Sequence, residues 1–193
     1  MKAGFDMYIK KEEFISAFTE IEEALTNYSL PKWDMLPDID LYMDQVVSVV
    51  KKCIEVPSST MQFNRSITPS MINNYVKLGI IPSPNRKRYS RIHLAYLLIV
   101  CTLKQTLDMN TIQQIIPVGP SEDEVRKTYD NFVKNQHKAF NYVLTQTREV
   151  AEPIFTLDGN NQDRMNDLLM QVSVSANLFK LLTEKITHLE DKN

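Results

Sequence analysis

A short helix with well-marked ends is the sequence feature that most constrains this fold. Thr68 followed by Pro69 is typical of a helix start, with threonine as the N-cap and proline in the first turn. Gly79, three turns later, favours a left-handed C-terminal cap. The pattern therefore predicts a helix over 69–78. One side of it is apolar, and the opposite side carries Ser70, Asn73, Asn74 and Lys77.

A basic turn and a long apolar segment follow this helix. Pro82 and Pro84 prevent the helix from continuing, and residues 84–89 suit the tip and return of a small hairpin, or wing. Ser90 can cap a second helix that reaches about Leu107. Because that helix is apolar almost all round, we expect it to form the buried centre of the fold.

Amphipathic spacing predicts two helices before this segment. They cover 9–27 and 40–55, and we interpret Asp38 and Asp40 as caps of the second. With only four glycines in 193 residues, the composition also favours helices over sheets. We therefore predict a mostly α fold.

The C-terminal part is predicted to be a pair of long helices. Val118-Gly119-Pro120 is the clearest candidate boundary, so we divide the chain into 1–39, 40–117 and 118–193. Ser121 begins a capping-box pattern, and the helix it starts is predicted to reach about Ala151. The side chains that we expect this helix to bury are Val125, Tyr129, Phe132, Phe140, Val143 and Val150.

The last predicted helix carries a seam of the coiled-coil type. Apolar residues alternate spacings of three and four over more than three heptads, with Ser175 as the polar exception. The same pattern fits a dimer interface or packing against helix 121–151 of the same chain, and both remain open. The predicted dimerisation residues are Met165, Leu168, Val172, Phe179, Leu182, Ile186 and Leu189.

Acidic residues are absent from the middle of the chain. From Val56 to Leu107 there is no Asp or Glu, although the whole chain has 24 of them. Seven bases lie in that window: Arg65, Lys77, Arg86, Lys87, Arg88, Arg91 and Lys104. A surface that faces a polyanion explains this, because a carboxylate near phosphate weakens neighbouring cation contacts. A basic strip without a partner is the alternative.

These residue types suit recognition of duplex DNA. Asparagine pairs with adenine through two hydrogen bonds, and lysine reaches guanine or phosphate. Ser70, Asn73, Asn74 and Lys77 are thus the candidate base-reading residues of a helix in the major groove. The hairpin cations would neutralise flanking phosphates. The candidate phosphate-binding residues are Arg65, Tyr75, Arg86, Lys87, Arg88, Tyr89 and Arg91.

The order of these elements resembles the MerR family of winged helix-turn-helix proteins. The matching residues are Tyr75, Gly79, Ile80, Ile81 and Pro82, then Arg88, Tyr89 and Ser90, then Leu97, Leu98 and Ile99, and finally Leu107, Met109, Ile112 and Ile115. The whole-chain layout resembles a bacterial branch of such proteins. The resemblance implies a winged helix-turn-helix core over 40–117 and contacts from Tyr75 and the wing cations to DNA phosphates.

The primary hypothesis is a homodimeric, cytoplasmic transcriptional regulator that reads two half-sites on double-stranded DNA. A small-molecule effector, if there is one, would bind among the C-terminal helices. The aromatic residues that could line its pocket are Tyr129, Phe132, Phe140, Tyr142 and Phe179. The alternative hypothesis is a protein-interaction module of the same shape that does not bind DNA.

Other classes find little support in the sequence. The three histidines are scattered, and no phosphate loop or nucleophile motif is present. We therefore expect no enzyme activity, no metal and no cofactor. Cys53 and Cys101 lie among apolar neighbours and are interpreted as buried thiols. No apolar run is long enough to cross a bilayer, and the N-terminus lacks an apolar signal core.

Overall fold

The structure is a computed structural model. It describes residues 9–56, 67–116, 119, 121–158 and 161–189. Arg65, one of the candidate phosphate-binding residues, lies outside these residues, and so do Val118 and Pro120 of the candidate boundary.

Seven α-helices account for most of the described residues, which confirms the prediction of a mostly α fold. Their bounds are Lys11–Asn27 (α1), Met43–Ile54 (α2), Pro69–Lys77 (α3), Arg91–Leu103 (α4), Met109–Ile115 (α5), Glu122–Thr156 (α6) and Asn161–Thr187 (α7). A 3-10 turn at Trp33–Met35 precedes α2. None of the helices among these residues combines the length and the apolar character that crossing a bilayer requires.

Helix α4 is the centre of the molecule, as its all-round apolar sequence predicts. Every residue from His93 to Cys101 is buried. Helix α2 packs against α4, and so does α6. The helix ends at Leu103, four residues before the predicted Leu107. A turn fills the gap, and Asp108 then caps α5 by accepting hydrogen bonds from the backbone N–H groups of Asn110 and Thr111 at 2.9 and 3.0 Å.

Both ends of α3 are built as the sequence predicts. The backbone N–H of Met71 donates to the Thr68 hydroxyl at 3.3 Å. At the other end Gly79 has a φ of +70°, a conformation that glycine adopts without the strain a Cβ would add. The N–H groups of Gly79 and Ile80 donate to the carbonyls of Val76 and Tyr75, which is the Schellman arrangement.

Helix α2 begins later than predicted. Leu41 exchanges two backbone hydrogen bonds of 2.9 Å with Tyr89, and this pairing holds Leu41 extended. The helix can therefore start only at Met43, and the interpretation of Asp38 and Asp40 as its caps is wrong. The same pairing fixes the segment before α2 to the base of the hairpin.

One hydrophobic core runs through the predicted boundary at 118–120. It extends in sequence from Tyr28 to Val133 and includes residues of α6. Tyr129 of α6 contacts the Trp33 ring edge-on at 6.3 Å, and its hydroxyl donates to the carbonyl of Pro31 at 2.7 Å. The first half of α6 is thus part of the same packing unit as α4.

A second, smaller core joins α1 to the ends of α6 and α7. Ala151, Ile154, Met165 and Leu168 are its buried members. From α1, Phe14 and Phe18 pack against Phe155. Arg148 of α6 stacks over the Phe155 ring at 4.0 Å and pairs with Glu22 of α1 at 3.1 Å.

The C-terminal helices leave more apolar surface exposed than the sequence predicts. Val143 and Val150 of α6 are exposed, so their predicted burial is wrong. Of the predicted seam on α7, Met165 and Leu168 are buried within this chain. The remaining seam residues are exposed, namely Val172, Phe179, Leu182, Ile186 and Leu189. The reason is that α6 and α7 pack closely only at their connected ends.

We predict that Tyr129→Phe lowers the free energy of unfolding by about 1 to 3 kcal/mol, because the carbonyl of Pro31 loses its hydrogen-bond donor in a buried place. Chemical denaturation monitored by circular dichroism measures the change. Tyr142→Phe is the matched control, since Tyr142 is exposed and its substitution should change stability by less than about 0.5 kcal/mol. Equal effects of the two variants would contradict the role given to Tyr129.

Candidate functional site

The exposed side of α3 carries all four candidate base-reading residues. Ile72 and Tyr75 face the core. Ser70, Asn73, Asn74 and Lys77 are exposed. Leu78, which the apolar pattern assigns to the buried side, is also exposed, and its carbonyl accepts a hydrogen bond from Gln113 of α5. The helix thus presents amide, hydroxyl and ammonium groups to solvent without a carboxylate among them.

Residues 85–88 form a two-residue hairpin with a basic tip. The N–H of Asn85 donates to the carbonyl of Arg88 at 3.1 Å, and the N–H of Arg88 donates back to Asn85 at 2.9 Å. Arg86 and Lys87 are the two central residues of this turn, and both have positive φ values of 48° and 63°. Positive φ at both central positions is the signature of a type I′ turn.

The sequence of this turn conflicts with its backbone. Type I′ turns favour Asn, Asp and Gly at the central positions, because a Cβ is strained at positive φ by about 1–2 kcal/mol per residue. Here the two positions hold Arg86 and Lys87, whose long side chains are exposed. A strained backbone that displays two cations points to a use for those cations.

Arg86 and Lys87 make no hydrogen bond or ion pair within the part of the chain that the structure describes. Arg88 is different, because its guanidinium donates to the Tyr42 hydroxyl at 2.8 Å and lies 4.6 Å from the centre of that ring. Tyr42 is neutral, so the charge of Arg88 is not compensated. The hairpin therefore presents three cations, of which one is positioned by an aromatic ring.

Arg91 belongs to the framework of the site. Its side chain is only 19% exposed and pairs with Asp38 at 4.0 Å. The guanidinium also donates to the carbonyl of Pro37 at 3.4 Å and lies 5.7 Å from the Trp33 ring. These contacts join the start of α4 to the 33–38 segment, and we leave Arg91 out of the candidate surface.

Tyr75 and Tyr89 are core residues, each 3% exposed. Burial raises the pKa of Tyr75 to about 12, and burial also raises the pKa of Tyr89. Both rings pack beneath the surface that the hairpin and α3 form. We therefore leave both tyrosines out of the candidate surface, and their predicted phosphate contacts stay predictions.

The tertiary structure brings acids close to the acid-free window. Leu41 pairs with Tyr89, so its neighbours Asp38 and Asp40 lie at the base of the hairpin. The same segment exposes three large side chains beside the basic turn, which are Met35, Ile39 and Tyr42. Sequence analysis missed this arrangement, because the pairing joins segments about 50 residues apart.

His93 lies under the base of the hairpin. Its Nδ1 accepts a hydrogen bond from the backbone N–H of Ser90 at 2.9 Å, and its ring meets Tyr89 edge-on at 5.3 Å. Burial lowers the pKa of His93, and this effect outweighs the opposing influence of Asp40. The neutral imidazole thus stabilises the joint between the hairpin and α4.

Two other kinds of site have weaker signals. Within the described ranges, no three potential metal ligands lie together. Burial raises the pKa of Cys101 to about 11, and burial also raises the pKa of the half-buried Cys53. A groove of about 310 Å³ lies between α6 and α7. Tyr142 and Phe179 line it, whereas Tyr129 is in the main core.

The chain belongs to the family described as a domain of unknown function, DUF1836, whose pattern matches residues 31–138. The matched region contains the Trp33 turn, α2 to α5, the hairpin and the first half of α6, and therefore most of the main core. No curated protein matches the chain. No solved structure matches it either.

We predict that Arg86→Asn combined with Lys87→Gly raises the free energy of unfolding by about 1–2 kcal/mol, because the new residues accept positive φ. Thermal and chemical denaturation measure the gain. The control replaces exposed residues of α6 by the same types, Lys134→Asn and Lys138→Gly, and this pair should destabilise the helix. A loss of stability in the turn variant would show that the turn is not strained.

We predict that the protein loses stability as the pH falls below about 6.5, the ordinary pKa of histidine. The folded-state pKa of His93 is lowered, so the unfolded chain takes up the proton first and the stability falls until the folded-state pKa is reached. Denaturation midpoints at pH 7 and pH 5 measure this loss. His93→Gln should reduce it, whereas His137→Gln, at an exposed position, should not. An unchanged loss in His93→Gln would contradict this assignment.

Proposed function

We propose that this chain is a DNA-binding transcriptional regulator with a winged helix-turn-helix core of the MerR type. In this proposal α2 and α3 form the helix-turn-helix, the 84–89 segment is the wing, and α4 is the central helix. The packing of α2 on α3 and α4, and the pairing of Leu41 with Tyr89, support this shape. Exposed Ser70, Asn73, Asn74 and Lys77 are then the groups that enter the major groove.

The observation that carries the proposal is the strained basic turn. Arg86 and Lys87 occupy two positions where asparagine and glycine would be more stable, and neither cation has a partner among the described residues. Phosphate is a ligand that would use both charges at once. On the exposed side of α3, asparagines supply the donor and acceptor pair that adenine recognition needs.

A second candidate function has one observation in its favour. Met35, Ile39 and Tyr42 are more than half exposed beside the hairpin, and large apolar side chains in a group are typical of protein interfaces. The corresponding hypothesis is a protein-interaction module that uses the basic turn for an acidic partner. Affinity for duplex DNA separates the two hypotheses.

The test of DNA binding is a fluorescence anisotropy titration with labelled duplex DNA at several salt concentrations. We expect binding at about 50 mM salt that weakens steeply with added salt, since phosphate contacts release counterions. Replacing Arg86 and Lys87 by alanine should reduce the slope of log affinity against log salt by about 1.8, or roughly 0.9 for each lost phosphate contact.

The matched control removes the same charge from another element, by Lys134→Ala and Lys138→Ala on α6, and should leave the slope nearly unchanged. Asn74→Ala tests the role of α3 in the same assay. It should lower discrimination between duplexes by about 1–3 kcal/mol at one base pair while leaving the salt slope intact. Undetectable binding of the unchanged protein at about 50 mM salt would overturn the proposal.

A further inference from the structure

Helix α7 has an apolar face that the predicted seam does not include. At about 100° per residue, Met170, Val174, Leu178 and Leu181 fall on one side of α7, about 120° from the seam. We call these four residues the outer stripe. Each of the four is at least half exposed.

The other sides of α7 are already used within the chain. Val172, Ser175 and Phe179 of the seam line the groove shared with α6. Ala176 and Thr183 line a second cavity against Leu103 of α4. The outer stripe therefore points away from the helices that α7 packs on, and α7 also contacts α5.

The stripe lies in a part of the chain that carries no charge. Residues 168–179 contain no Asp, Glu, Lys or Arg, and neither do residues 139–147 of the neighbouring helix α6. A surface helix of an ordinary monomer carries charged or polar residues on its solvent side. A helix that is apolar on several sides is normally enclosed on several sides, so the outer stripe calls for a covering surface.

We propose that a second copy of this chain covers the outer stripe. Two α6–α7 hairpins would pack through their stripes into a four-helix arrangement, with the α6 helices outermost. A two-fold interface brings identical patches together, so such a patch must tolerate its own charge. The outer stripe meets this condition because it has none, and the 4-4-3 spacing of its residues matches an identical partner helix.

The exposed area of the chain is large enough for such an interface. The chain exposes 12786 Å². A compact monomer of its mass exposes about 9,400 Å². A standard interface buries about 800 Å² per partner. Even one third of the excess therefore supplies the area that a stable dimer needs.

This pairing differs from the coiled-coil seam that the sequence suggests. In the proposed dimer the seam faces α6 of the same chain, and the residues between the subunits lie on another side of α7. The inference does not depend on DNA binding, since α3 and the hairpin contribute nothing to it.

Light scattering coupled to size exclusion tests the proposal on the full chain without DNA. At about 50 µM we expect twice the monomer mass of 22.4 kDa, and a melting temperature that rises with protein concentration, as for any dimer that unfolds to monomers. Val174→Glu combined with Leu178→Glu should reduce the mass to that of one chain while the circular dichroism spectrum stays helical.

The control introduces glutamates at two exposed apolar positions elsewhere, Met35→Glu and Ile39→Glu, and this variant should stay dimeric. A single-chain mass for the unchanged protein at about 100 µM, with a melting temperature independent of concentration, would overturn the proposal. A stripe variant that stays dimeric would also overturn it, because the copies would then meet through another surface.

Discussion

The burial of α4 between α2 and α6 is the constraint on which the remaining structure depends. Each residue from His93 to Cys101 is buried, so helices must cover α4 on all sides. The first half of α6 supplies one of these covers, and Tyr129 ties it to the Trp33 turn. The hairpin and α3 are thus attached to a rigid centre, which allows a strained turn to persist at the surface.

At the hairpin, stability and charge display are in conflict. Arg86 and Lys87 cost conformational energy that asparagine and glycine would avoid. Around the hairpin the charges are divided between two purposes. Arg91 is paired with Asp38 and stacked near Trp33, and it holds the framework together. The cations at the tip have no such partner in the described chain, which is why we assign them to an external anion.

The C-terminal helices present the opposite imbalance, with apolar surface in excess of what this chain can cover. Met165 and Leu168 are buried where α6 and α7 join, and packing then opens toward Phe179. The outer stripe receives no cover from its own chain. The DNA-reading surface and the proposed dimer surface therefore lie on different elements, joined through α4 and α5.

The sequence by itself determined the helical class, the ends of α3, the capping of α5 and the buried α4, because these depend on local signals such as Thr68, Gly79 and Asp108. It also placed the basic hairpin. Only the tertiary structure decided the start of α2 and the neutralisation of Arg91, since both follow from pairing between segments about 50 residues apart. The exposure along α7 belongs there too, because a spacing of three and four residues defines a stripe but does not specify what covers it.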